Sequence, residues 1–284
     1  VPELPEVETI RTRIAPVLAG ARISRAEIND ARLVRPYDPR AVAAELQGEQ
    51  VATVERRGKY LVVRFVSGRV LLIHLRMTGS LRHGPAGSLG VDSHRRAVLS
   101  MDNGSDVAYR DVRRFGTWEL FEPEEVGPYL ARRLGPEPLG HLSARRLGER
   151  LAGRRTALKA ALLDQRTVAG LGNIYADEAL WHARLHPLRP AGGLADDEIR
   201  RLHRGVRKAL RLGIARQGAS LRDYATPDGS NGSMQEEFRV YGREGEPCDR
   251  CGSEIAKTRV AGRGTWFCSR CQPAFFRSPD HGAA

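Results

Sequence analysis

Four cysteines carry the spacing most clearly suited to chemistry: Cys248-x2-Cys251-x16-Cys268-x2-Cys271. Two CxxC knuckles joined by an insert of hairpin length can set four thiolates at the corners of a tetrahedron, the geometry of a structural zinc ion. Four sulfur ligands leave no open coordination position, so the expected ion builds shape and does no catalysis. Two disulfides or free thiols are the other readings, and zinc is expected over both because there is no other cysteine and no secretion signal. Between the knuckles, "KTRVAGRGTWF" alternates Lys257, Arg259 and Arg263 with small and β-forming residues. It predicts a hairpin with a basic face suited to phosphates, a solvated hairpin being the plainer alternative.

A second stretch asks for an explanation. The chain opens "VPELPEVETI", acidic and punctuated by proline, although its formal net charge is +12. Pro5, Glu6 and Glu8 suit a helix start, and Val7, Ile10, Ile14 and Leu18 recur near helical spacing before Gly20. Pro16 predicts a kink or an early stop. None of this accounts for Pro2 and Glu3.

The elements that must position these residues follow from composition and pattern. A chain of 284 residues, 41% hydrophobic, is long enough for two domains with a sizeable core. No run reaches the roughly 18 apolar residues of a spanning helix, and the N-terminus lacks a signal peptide's basic and apolar regions, so cytoplasm is the expected compartment. The charge points to a polyanionic partner without separating nucleic acid from membrane. Of 46 basic residues only Lys59, Lys159, Lys208 and Lys257 are lysine. From about 22 to 120 short β-branched runs alternate with turn signals, Ser67-Gly68 and Asn103-Gly104 among them, which predicts an antiparallel β-sandwich. Residues 121–140, rich in Pro and Gly, read as a linker. Helical patterns follow, and 226–235 has the composition of a mobile loop. The expected fold is α+β: an N-terminal helix and sandwich domain over 1–125, a linker over 126–141, a helical domain over 142–239, a zinc finger over 240–275 and a flexible tail over 276–284.

"PELPEVE" (2–8), "RRGKYL" (56–61), "HLRMTGSL" (74–81), "RRFGTW" (113–118), "GLGNIYADE" (170–178), "VYGREGEPC" (240–248) and the terminal cysteines occur in this order. Over nearly its whole length the chain resembles bacterial formamidopyrimidine-DNA glycosylases, base-excision enzymes for 8-oxoguanine and ring-opened purines. The resemblance implies a helical domain with a helix-two-turn-helix element, damaged double-stranded DNA as partner in a cleft between the domains, and a monomer.

It also implies roles. Pro2 would be the nucleophile that attacks C1′ of the damaged nucleotide: an α-amino group has a pKa of about 8, and a secondary amine gives an iminium cationic at every pH. An amide nitrogen cannot attack, so Val1 is read as the literal translation of a GTG start codon, trimmed before proline. Glu3 matches the acid that protonates the departing base or the opening sugar. Lys59 would move protons in β-elimination and touch phosphate. Arg263 matches the arginine linked to δ-elimination, with phosphate clamping as its main physical role. Met77, Arg113 and Phe115 match a wedge that fills the space left by a flipped nucleotide, although Met and Phe are more often core residues. His94, Arg154 and Asn173 match backbone contacts. Lys159 is either a contact near the lesion or a helix-surface lysine. The loop from about 221 to 238 would close over the damaged base, with Met234 where an aromatic is expected, which bears on lesion preference. The alternatives are an oxidised-pyrimidine glycosylase of the endonuclease VIII type, whose opening motif differs, and a non-catalytic zinc-dependent DNA-binding protein, which has no need of Pro2, Glu3 and Lys59 together.

Overall fold

The structure is a computed structural model that describes residues 2–221 and 224–274. Val1, Arg222, Asp223 and the 276–284 tail therefore lie outside the described residues. In chain order the elements are α1 (Leu4–Leu18), β1 (Ile23–Ile28), α2 (Pro39–Leu46), β2 (Val51–Arg57), β3 (Tyr60–Phe65), β4 (Val70–His74), β5 (Gly79–Pro85), β6 (Arg95–Met101), β7 (Ser105–Asp111), β8 (Thr117–Phe121), α3 (Pro123–Arg133), α4 (Ala144–Leu151), α5 (Leu158–Leu163), α6 (Asn173–Ala183), α7 (Asp196–Ala215), β9 (Ile255–Val260) and β10 (Arg263–Cys268). None of these helices is long and apolar enough to cross a membrane.

The chain divides into two compact units. One comprises the residues up to Leu134 together with Arg211–Glu236, the other Gly135–Leu210 together with the residues from Glu237 on. In the first unit two four-stranded antiparallel sheets, ordered β1-β6-β7-β5 and β2-β3-β4-β8, enclose one core. Alternation along the strands sends Leu61 and Val63, Leu71 and Ile73, and Leu99 and Val107 into that core, where Ile10, Ile14 and Leu18 of α1 join them. Both expected hairpin turns are present, with Gly68 at φ 94° and Gly104 at φ 81°. The second unit holds α4, α5, α6 and the two-stranded β9-β10 hairpin, which lies between the two cysteine knuckles and ends on Cys268.

Three elements differ in detail from the sequence reading. Helix α1 does not stop at Pro16 but runs on to Leu18, because the buried stripe of Ile10, Ile14 and Leu18 outweighs one missing backbone donor. Much of the expected linker is helix: Pro123 in the first turn and a capping box between Glu122 and Glu125 start α3, and Pro128 lies inside it. By packing, Arg211–Glu236 groups with the sandwich. Tyr224 enters the sandwich core, Arg13 pairs with Asp228 at 2.5 Å, and the Ala219 N–H donates to Glu6 Oε1 at 2.9 Å. These bonds hold the described part of the loop read as mobile. Met234 is buried at the start of a short 3-10 turn, its N–H donating to the Gly218 carbonyl at 3.0 Å.

Candidate active site

In the first unit, Pro2 and Glu3 immediately precede α1 and both are buried, Glu3 with 2% of its surface exposed. Glu3 is the N-cap in extended backbone, and its N–H donates to Glu6 Oε2 at 2.8 Å. Glu6 is thus shared: one oxygen closes the helix start and the other holds Ala219 at the base of the 221–238 loop. Lys59 is the second residue of the two-residue turn joining β2 to β3, made possible by Gly58 at φ 60°. That turn is tied to α1 by one arginine. Arg56 donates through Nε to Glu8 Oε2 at 2.9 Å and through Nη1 to the Gly58 carbonyl at 3.0 Å, while Arg11 holds Glu8 Oε1 at 2.6 Å. Burial pushes the Glu8 carboxyl up, but the Arg11 and Arg56 guanidiniums outweigh it and leave it below its usual range. Glu8, which sequence accounts for as helix-starting charge, is therefore the link between the helix that bears Pro2 and the turn that bears Lys59.

Met77 and the Arg113–Phe115 segment sit on two turns of the same unit. Phe115 is 50% exposed, with the Arg113 guanidinium carbon 4.8 Å from its ring centre, so the competing reading of Phe115 as core does not hold. Met77 is half-buried. Each turn contains an arginine in the left-handed region, Arg76 at φ 53° and Arg114 at φ 59°, and each has an anchor. The Arg76 N–H donates to His74 Nδ1 at 3.0 Å, and Arg114 grips the buried Asp30 through two bonds of 2.6 and 2.7 Å. Burial, helped by Arg76 and Lys59, pushes the His74 pKa down to about 3, so this imidazole stays neutral and can accept. His94 lies in the turn before β6, where its carbonyl accepts from the Asp111 N–H at 3.0 Å.

In the second unit three of the expected residues converge on one peptide. The Gly264 carbonyl accepts from Asn173 Nδ2 at 3.1 Å and from Lys159 Nζ at 2.8 Å, and Arg263 is the preceding residue, exposed at the start of β10. Lys159 is neither a surface lysine nor exposed to a ligand: it is fully buried, ion-paired with Asp177 Oδ1 at 2.8 Å and bonded to Thr265 Oγ1 at 2.8 Å. Burial pushes the Asp177 carboxyl up to about 7 against the pull of Lys159. Asp177 also accepts from the Trp266 N–H at 3.1 Å, and its neighbour Glu178 accepts from the N–H groups of Arg239, Val240 and Tyr241, leading the chain toward the first knuckle. The sequence reading gives Asp177 and Glu178 no role; the structure makes them the buried acids that hold Lys159 and the 239–241 backbone. Their signal lay in α6 itself, nine of whose eleven residues are buried, since an acid on such a helix must have partners. Arg154 donates to Asp164 at 3.1 Å and to the Arg150 carbonyl at 2.9 Å.

The single basic face expected of the finger hairpin divides in two. Pairing sets Lys257 opposite Trp266 and Arg259 opposite Gly264, but Arg263 opposite Val260, on the other face. Lys257 is further engaged by Glu244 at 2.7 Å. The two-residue turn between the strands has both Ala261 and Gly262 at positive φ, 48° and 73°.

The four cysteine sulfurs lie within 4.8 Å of one another, with Cys251 and Cys268 3.5 Å and Cys248 and Cys271 4.0 Å apart. A tetrahedral zinc with bonds of about 2.3 Å requires sulfurs about 3.8 Å apart, so one structural zinc fits. The Trp181 indole N–H reaches Cys248 Sγ at 3.5 Å, a contact that steadies a metal-bound thiolate.

Residues 1–118 match the formamidopyrimidine-DNA glycosylase N-terminal domain, 134–225 its H2TH domain, and 245–274 the zinc finger found in FPG and IleRS. Formamidopyrimidine-DNA glycosylase of Symbiobacterium thermophilum is 47% identical over 276 residues, covering 96% of this chain and 89% of that one. The enzyme of Geobacillus kaustophilus is 45% identical, covering 95% and 99%. The chain belongs to the formamidopyrimidine-DNA glycosylase family. A crystal structure of a Lactococcus lactis FPG mutant in complex with Fapy-dG-containing DNA superposes with a TM-score of 0.90 at 39% identity, covering 96% of this chain and all of that one. A complex of the same organism's enzyme with abasic-site DNA gives 0.89 at 38%, with the same coverage. The motifs of a formamidopyrimidine-DNA glycosylase thus become places in the fold: the start of α1, the β2-β3 turn, the β4-β5 turn, the β7-β8 loop, the start of α6 and the metal hairpin.

Proposed function

We propose that this DNA glycosylase of base excision repair excises 8-oxoguanine and formamidopyrimidines from duplex DNA through the Pro2 amine and then opens the resulting abasic site. The observation that carries the reading is the clamp of Glu8 and Arg56, which holds the Lys59 turn against the helix that begins at Glu3. A free Pro2 nitrogen attacks C1′ and the N-glycosidic bond breaks; Glu3 supplies the proton that lets the base or the ring oxygen leave. The product is a cationic iminium. It withdraws electrons so that the C2′ proton is removed, with Lys59 moving protons, and the 3′ phosphate departs; loss of the 5′ phosphate follows, with Arg263 holding it. Arg113, Phe115 and Met77 occupy the space of the flipped nucleotide, and His94, Arg154 and Asn173 serve the DNA backbone. The mechanism requires Pro2 to be the first residue of the mature protein. Zinc supplies shape to the hairpin that presents Arg263 and takes no part in the chemistry. The protein acts as a monomer in the bacterial cytoplasm, at the nucleoid.

Borohydride trapping on duplexes carrying 8-oxoguanine, thymine glycol or an abasic site tests the reading. Covalent complexes with 8-oxoguanine and the abasic site are expected, and Pro2→Gly behind a blocked terminus should abolish them. Preference for thymine glycol would assign the chain to oxidised pyrimidines, and no trapping on any duplex would leave only a DNA-binding protein. Intact-mass analysis showing a retained first residue would sink the assigned nucleophile.

A further inference from the structure

We infer that Thr78 and Asp111 are positioning residues that lock the Met77 turn and the Arg113–Phe115 loop into one wedge. This rests on the reading of Met77, Arg113 and Phe115 as the side chains that replace a flipped nucleotide. The three come from two separate loops, and each loop passes through an arginine in the left-handed region. Such a conformation persists only where the surroundings over-determine it.

The surroundings here are a shared carboxylate. Asp111, at the end of β7, is 1% exposed, and Thr78, which follows Met77, is 5% exposed. The Thr78 hydroxyl accepts from the Arg113 N–H at 2.9 Å, which commits its own proton to the close bond it makes with Asp111 Oδ1. The other carboxylate oxygen, Oδ2, accepts from the Gly116 N–H at 2.7 Å. One loop therefore supplies the hydroxyl, the other supplies two backbone donors that flank Phe115, and Asp111 bridges them. The Asp111 backbone is fixed in turn by the His94 carbonyl at 3.0 Å and by Arg96 Nε at 2.9 Å.

Shape supports the same coupling. A Cβ built on Gly79, just after Thr78, would overlap the Tyr109 hydroxyl, and so would one on Gly116. Two residues of β7, Tyr109 and Asp111, thus lie under both loops, and the glycines of "MTG" and "RFG" let both loops close on them. A fully buried carboxylate with bonds from two loops transmits displacement of one to the other, since leaving either donor unpaired is costly.

None of these bonds involves Pro2, Glu3 or Lys59, so breaking the link should affect flipping and spare the chemistry. Thr78→Val keeps the shape and removes the hydroxyl; Thr78→Ser keeps the hydroxyl; Phe115→Ala tests the wedge itself. Single-turnover excision of 8-oxoguanine paired with cytosine is compared with strand cleavage at a preformed abasic site in the same duplex, alongside thermal melting of each variant. Thr78→Val is expected to slow excision of the paired lesion by about tenfold, the effect of losing on the order of one buried hydrogen bond, with abasic cleavage within about twofold. Thr78→Ser should match the parent protein. Equal slowing on both substrates, an unaffected Thr78→Val, or a Thr78→Ser as slow as Thr78→Val would overturn the coupling. If Phe115→Ala leaves the paired lesion unaffected, the wedge reading fails and this inference with it. If Phe115→Ala is slow and Thr78→Val is not, only the coupling fails.

Discussion

Replacing Lys159 by methionine removes the ammonium from a site where both charged partners are fully buried. Lys159 Nζ lies 2.8 and 3.0 Å from the two Asp177 oxygens and 2.8 Å from both the Gly264 carbonyl and Thr265 Oγ1. Breaking a buried pair from one side costs about 3–5 kcal/mol, because the remaining charge is left uncompensated. At about 3 °C per kcal/mol for a protein of this size, 4 kcal/mol corresponds to a fall in Tm of about 12 °C. The pH dependence has a definite sign. Burial already holds the Asp177 carboxyl at about 7, above its unfolded value of about 3.9, and without Lys159 it rises further. A raised carboxyl binds more protons folded than unfolded, so stability is lost as pH rises toward the folded pKa. The Tm deficit of Lys159→Met should therefore be larger at pH 8 than at pH 5. Adding Asp177→Asn removes the second charge and should restore most of the loss. Thermal melts of the two single variants and the double variant at both pH values give the answer. A Lys159→Met deficit under about 1 kcal/mol, or a double variant no more stable than Lys159→Met, would refute the pair as described. In the double variant the peptide after Arg263 has lost its ammonium. The product of 5′ phosphate loss should then fall relative to that of 3′ phosphate loss.

Arg56→Ala should release the Lys59 turn, slowing strand cleavage by about tenfold while base release stays near the parent rate, as resolved by assaying the two products separately. The same substitution has an acid signature: the Glu8 carboxyl lies below its usual range, so its stabilisation is present above about pH 4.3 and fades as pH falls through the lowered folded value. The stability gap between Arg56→Ala and the parent should accordingly narrow toward pH 3 in urea titrations. Gly116→Ala drives a methyl group into the Tyr109 hydroxyl and should cost about 1–3 kcal/mol, and Tyr109→Phe in the same chain should recover part of it by vacating that space. Chelation should release one zinc per chain, measured with a chromophoric chelator, and abolish DNA binding; Cys248→Ser should bind less than one equivalent and reproduce the loss.

Local features were legible because their physics is local. The knuckle spacing constrains four sulfurs through short chain segments, Ser67-Gly68 and Asn103-Gly104 make turns by their own backbone preferences, and the start of α1 follows from Pro5 and the acids beside it. The ordered motifs carried the family, since each is a short string. By contrast, the sequence leaves Lys159 as either a contact near the lesion or a helix-surface lysine, and only the approach of α6 and β10 surrounds it. Arg263 looked continuous with Lys257 and Arg259 until strand register set it on the other face.

What the sequence determined by itself, then, is the set of chemical groups and their immediate backbone geometry: the terminal amine candidate, the neighbouring acid, the turn lysine, the four thiolates. What the tertiary structure alone decided is which partner each carboxylate takes. Glu6 reaches Ala219, Glu8 reaches Arg56, Asp30 reaches Arg114, and Asp111 joins two loops. Each of these bonds spans a separation that no local periodicity encodes except Asp111 to Gly116, and each forms only once burial has made an unpaired polar group expensive. Burial is a property of the packed chain, and so is the choice of partner.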